Sequence, residues 1–204
     1  MDSIVSFRDF EERDIDFIHK CKNDEKLNSM IVGAFRPFSH EDAEKWVQGC
    51  MGEHDSFKFW AVCSNDEEKR IIGWVSISEI SKDNSSACFH GIVIGDKDYR
   101  DGRAWIECYL FILSQVFEVY KLNRIWGRYL EDHPSSRYIA EAVLLKKEGL
   151  FREAVFKNGI YHNMIQNSML AREYFEYRES GDLEYSKVFR RLLGLIRSSK
   201  KNKN

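Results

Sequence analysis

The stretch GIVIGDKDYRDGRAWIEC, residues 91–108, changes character halfway along. It opens as a β-branched run, passes through charges around Gly102, and ends as the start of an apolar helix. β-branched residues favour strands, and apolar residues at a spacing near 3.6 mark a helix. Arg100 and Arg103 flank Gly102, with Asp101 and Trp105 close by. A helix start beside a glycine binds an anion when its N–H groups are free and backbone can approach closely. The same turn is otherwise a plain connection with solvent-facing arginines, and Asp101 is its N-cap. Both readings stay open at this point.

Working outward, FKFWAVCS (57–64) and RIIGWVSISEI (70–80) are rich in β-formers and flank the charged turn NDEEK, which predicts a hairpin. SSACFHGIVIG (85–95) adds a third antiparallel strand. Before them, SIVSFRDF (3–10) alternates like a short strand, and ERDIDFIHKCKN (12–23) spaces Ile15, Ile18 and Cys21 or Lys22 as a helix does. Ser39, with Asp42 three residues on, predicts a capped start for HEDAEKWVQGCM. Beyond the turn, AWIECYLFILSQVFEVYKL (104–122) predicts a buried helix and RIWGRYLE (124–131) a strand. PSSRYIAEAVLLKKEG (134–149) predicts a helix with Pro134 near its start and Gly149 as its stop. FREAVFKNG and YHNMIQNSMLAREYF predict a closing hairpin around Asn158-Gly159. Antiparallel strands followed by a crossover helix between neighbouring strands make an α+β domain with a mixed, mostly antiparallel central sheet and helices on both faces.

Composition narrows the function. The chain has 204 residues, 43% hydrophobic and 14% aromatic, enough to bury one substantial core. Lys+Arg total 31 against Asp+Glu 33, a balance that argues against a dedicated nucleic-acid binder. Cys21, Cys50, Cys63, Cys88 and Cys108 are odd in number and lack C-x-x-C spacing, so reduced, buried thiols in a cytoplasmic protein are expected, with no metal site. The N-terminus has no signal-peptide pattern, and no apolar run reaches the ~20 residues of a membrane span.

The order of elements resembles the GNAT acyl-CoA N-acyltransferase fold over residues 3–175, in the branch of ribosomal-protein-alanine and amino-sugar acetyltransferases. PFSHEDAEKW (37–46), RIIGWVSI (70–77), FHGIVIGDKDYRDG (89–102), RIWGRYLEDHPSSR (124–137) and EGLFREAVFKNGIYHNMIQNSML (148–170) carry the resemblance in the right order. It implies an acetyl-CoA co-substrate. The pyrophosphate would be held by the turn Arg100, Asp101, Gly102, Arg103, Ala104 and Trp105, and the thioester by the strand end Ile92, Val93 and Ile94. His133 stands where the family most often has Asn, and Ser136 matches its Ser; both would steady coenzyme A. The turn departs from the family's Arg/Gln-x-x-Gly-x-Gly/Ala, since Gly102 and Ala104 align only after a one-residue deletion. The family's catalytic tyrosine has Tyr138 as its nearest counterpart.

Acyl transfer to an amine requires loss of a proton from the amine and polarisation of the thioester carbonyl. His90, just before the thioester strand, is the preferred base, with Glu131 in reserve and Glu79 a further candidate. No Gly-x-Ser-x-Gly motif occurs, which favours direct transfer. Asn28, Phe35, Trp46, Trp60, Tyr161, His162 and Asn163 are candidates to line the acceptor site. The expected acceptor is a small-molecule amine, such as an amino sugar on a nucleotide carrier; protein N-terminal acetylation of the ribosomal-protein-alanine type and a non-catalytic binding domain are the alternatives.

The expected organisation is a catalytic domain over 1–178, an extra C-terminal helix over 179–198, and a disordered basic tail over 199–204. DLEYSKVFRRLLGLIR places Tyr185, Val188, Phe189, Leu192 and Ile196 on one face, with Asp182 as cap. That stripe needs a partner, either its own domain or a second copy in a homodimer.

Overall fold

The computed structural model describes residues 3–29, 31–32 and 35–201. Seven strands form one sheet in the order β1-β2-β3-β4-β5-β7-β6. They are β1 (Val5–Arg8), β2 (Lys58–Ser64), β3 (Ile71–Ser81), β4 (Ser86–Ile94), β5 (Arg124–Leu130), β6 (Lys146–Lys157) and β7 (Ile160–Leu170). All neighbours are antiparallel except β4 and β5, which run parallel because helix α4 (Arg103–Ser114) carries the chain between them. The mixed α+β architecture is as expected from the sequence.

Two helical layers cover the sheet. Helices α1 (Ile15–Lys22) and α3 (His40–Cys50), with the single-turn α2 (Glu25–Asn28) between them, pack on one face around Ile18, Val47, Ala61 and Trp74. The expected capping box starts α3: Ser39 Oγ accepts from the Asp42 amide at 3.1 Å, and the Asp42 carboxylate accepts from the Ser39 amide at 3.0 Å. On the other face α4 lies over Val62, Ile77 and Ala87. There, Trp60 is 8% exposed and packs edge-on to Phe111. All five cysteines are free and buried, as their pattern predicted.

Three boundaries differ from expectation. Helix α5 (Pro134–Ala142) stops seven residues before Gly149, which lies inside β6. Leu144, at φ 66°, ends it: the Leu145 amide donates to Ala140 O and the Leu144 amide to Glu141 O, the paired bonds of a left-handed helix stop. The segment after Leu170 is a helix, α6 (Ala171–Glu179), not strand; its Glu173 accepts from the Leu170 amide. The last helix, α7 (Tyr185–Lys201), includes residues 199–201 that were expected in a disordered tail. Its apolar face packs within the chain, against α4 and α5: Val188 is fully buried and Leu192 5% exposed, with Tyr185, Phe189 and Ile196 partly buried.

Candidate active site

The site begins where the sheet opens. β4 and β5 are paired from Ser86↔Arg124 to Phe89↔Gly127, and beyond that no ladder joins them. At the same point β4 carries a bulge: Ile77 pairs with Phe89 and Ser76 with Gly91, leaving His90 as the extra residue. Bulges re-aim side chains and often stand beside active sites. His90 is exposed, 3.5 Å from Ser78 Oγ through Nδ1, with the Phe59 ring edge-on at 6.3 Å. Phe59 belongs to the α1–α3 layer, so the imidazole faces that side of the opening.

The turn after β4 leads into α4. Gly102 is the residue before its first turn, at φ 99°, a conformation that side chains resist. It offers the helix no side-chain cap. Asp101 does not take the N-cap position; it acts one residue earlier, its carboxylate accepting the Arg103 amide at 3.0 Å and Arg103 Nε at 2.6 Å. Arg100 turns back on the strand end, donating to Ile94 O at 2.8 Å and Gly95 O at 2.7 Å. It therefore fixes the turn and spends its guanidinium on carbonyls. Ala104 is fully buried, and Trp105 Nε1 is buried without a hydrogen-bond partner.

Across the opening, His133 is the N-cap of α5. Its Nδ1 accepts from the Ser136 amide at 3.0 Å, and burial lowers its pKa below the ordinary histidine value. Tyr138, on the same helix, donates its hydroxyl to Ser199 Oγ of α7. Glu131, just past β5, accepts from Asn163 Nδ2 at 2.8 Å, and His162 Nδ1 lies 2.9 Å from the Asp132 carboxylate. Glu131 and His90 thus have different partners. A cavity of about 280 Å³ lies beside α5, lined by Tyr129, Glu131, Arg137, Glu141, Lys147 and Asn167.

Several acceptor candidates are occupied by structural work. Asn28 Nδ2 donates to the carbonyls of Cys21, Lys22 and Asp24, closing the end of α1. Trp60 is in the α4-side core, and Trp46 in the α3-side core. Phe35 and Tyr161 are exposed. Ser78, Phe59 and Asp132 stand at the site without having been singled out; only the β3–β4 register and the β5 turn reveal them. Every thiol is pushed up by burial, Cys21 and Cys88 to about 11 and Cys50 to about 12, so none is poised as a thiolate nucleophile.

Comparison with known proteins agrees with this geometry. Residues 5–143 match the acetyltransferase (GNAT) domain. The chain belongs to this family, an acyl-CoA-dependent class of N-acyltransferases whose acyl donor is acetyl-CoA. A similar solved structure is a spermidine N-acetyltransferase from Vibrio cholerae in complex with CoA and spermine, at TM-score 0.76 and 22% identity, covering 85% of this chain and 99% of that one. An acetyltransferase of the GNAT family from Bacillus anthracis matches at TM-score 0.72 and 20% identity, covering 85% of this chain and 98% of that one. At these identities the likeness is one of fold. None of the curated proteins compared matches the chain. Among the described residues no cluster of ligands suits a metal ion, and no helix is long and apolar enough to cross a membrane.

Proposed function

We propose that this protein acetylates the primary amine of a small, cationic molecule, with acetyl-CoA lying in the opening between β4 and β5. The observation that carries the reading is the bulge that sets His90 at the mouth of that opening. The α4 start suits a pyrophosphate on two counts: its N-cap residue Gly102 carries no side chain, leaving Asp101 to hold the Arg103 amide from one residue further back, and the buried Trp105 indole N–H lacks a partner. Ile92, Val93 and Ile94 would line the thioester, and Arg103 and Ala104 would stand at the phosphates. Arg100 supports this cradle from beneath by holding the strand end.

Acetyl-CoA supplies the acyl group and a thiolate leaving group. His90 accepts the proton released by the attacking amine, directly or through water, and Tyr138 on α5 is the hydroxyl assigned to return one to the sulfur. The absence of a poised thiolate favours direct transfer over an acyl-cysteine intermediate. Glu131 and Asp132, bonded to Asn163 and His162, put two carboxylates at the end of β5, which favours a cationic acceptor such as a polyamine arm or an amino sugar. Thiol release measured with spermidine and with a nucleotide-linked amino sugar separates these acceptors. His90→Ala is expected to lower kcat roughly 100-fold while leaving acetyl-CoA affinity intact. A near-normal kcat in this variant would sink the assignment of the base.

A further inference from the structure

Helix α7 lies across both helices that flank the opening. Its Val188 and Leu192 are buried against Ile106 and Tyr109 of α4, Ile139 of α5 and Val143 just past the end of α5. A Cβ built on Gly102 would come within 3.2 Å of Leu192 Cδ2, so α7 rests on the turn proposed to hold the pyrophosphate. Its last turn takes the Tyr138 hydroxyl through Ser199, and Arg191 donates to Ala142 O at the end of α5. Ile92 of the proposed thioester strand and Trp105 of the turn pack in the same cluster. One helix therefore covers the cradle, the strand end and the candidate acid together.

We propose that α7 is a displaceable cover of the coenzyme groove, and that acyl-CoA and docked α7 exclude one another. This rests on the reading of the α4 turn as the pyrophosphate site. The interface has a feature of a contact built to open. Trp105 Nε1 and Tyr185 OH are buried without partners, and both lie in the cluster that α7 shares with α4. A buried donor without an acceptor opposes docking, because it gives up water and gains nothing in return. Undocking returns water to both groups. A phosphate seated at the α4 start would further offer the Trp105 N–H an acceptor that the docked helix does not. The docked state is held instead by the apolar stripe, which hydrophobic burial favours until a ligand competes.

The test uses the full chain. Leu192→Glu places a charge in the docked face without altering any group proposed to touch coenzyme A. Tryptic cleavage within 185–201 reports release of the helix, and calorimetric titration reports acetyl-CoA affinity. The expected result is faster cleavage together with a dissociation constant at least tenfold lower than that of the unaltered chain. Equal affinities with α7 released would remove the cover and leave the coenzyme site standing. Absence of binding in both proteins would remove the coenzyme site, and the cover with it. A measurement on the unaltered chain guards against a variant that fails to fold: hydrogen exchange across 185–201 should speed up when acetyl-CoA is saturating. Unchanged or slower exchange at saturation would overturn the proposal.

Discussion

The turns from β4 into α4 and from β5 into α5 flank the same gap in the sheet, yet the two helices begin differently. At α5 the helix start is finished from within: Pro134 removes one amide, and the His133 ring accepts another. At α4 a left-handed glycine takes the N-cap position and supplies no side chain, the Asp101 carboxylate reaches past it to the Arg103 amide, and a buried indole N–H nearby is left without an acceptor. A free helix N-terminus costs stability unless something accepts from it. The closed start belongs to the scaffold. The more open one is where an anion gains most, which supports the proposed seat of the coenzyme phosphates.

Gly102→Val attacks the open start and should have the largest effect. A β-branched residue at φ 99° is strained, and its side chain would press on Leu192. Acetyl-CoA affinity measured by calorimetry should fall at least about tenfold, or about 1.4 kcal/mol, with a lower melting temperature. Unchanged affinity in a folded variant would mean that the phosphates bind elsewhere.

His133→Ala attacks the closed start and should be felt in stability alone. Losing the cap costs about 1 kcal/mol, roughly 2–4 °C in melting temperature, with acetyl-CoA affinity unchanged. The same residue gives the pH dependence a sign. Burial lowers its folded pKa, so below the ordinary value of about 6.5 the unfolded chain takes up a proton before the folded one does. Its contribution is complete above that pH and declines as pH falls towards the lowered folded value. Protonation of Nδ1 also forfeits the bond from the Ser136 amide. Melting curves of the variant should therefore show a shallower acid decline than the parent; parallel curves would contradict the cap.

Asp101→Asn is the mildest change. It keeps an oxygen for the Arg103 amide and removes a negative charge from the open start. Acetyl-CoA should bind about two- to fivefold more tightly at low ionic strength, and the gain should fade with added salt. A loss of affinity would show that Asp101 is needed as a carboxylate.

The features readable in the sequence were those with local causes. Richness in β-formers around a charged turn marked β2 and β3, the Ser39–Asp42 pair started α3, and Asn158-Gly159 set the closing hairpin, where both residues take positive φ. What escaped depended on distant partners or on a residue doing another's work. Helix α5 ends on Leu144 in a conformation usually left to glycine, so Gly149 was a false stop. The start of α6 follows β7 with no turn residue between, although Glu173 three residues beyond Leu170 was a usable signal. The bulge at His90 exists only in the register against β3, so its residue could be singled out by chemistry but not placed. Arg100 looked like an anion ligand because its carbonyl partners, Ile94 and Gly95, are defined by the turn's path and not by its composition.

Lys157, at the end of β6, is only 8% exposed and donates to the carbonyls of Asn28 and Ile31. These contacts join positions 129 and 126 residues apart. On the ribosome, at about 5–20 residues per second, the segment after α1 would wait on the order of ten seconds for the lysine that closes it. The first helical layer is therefore finished by nearly the last strand to be made, and a nascent chain stalled before the hairpin would leave that segment unlatched and open to other proteins.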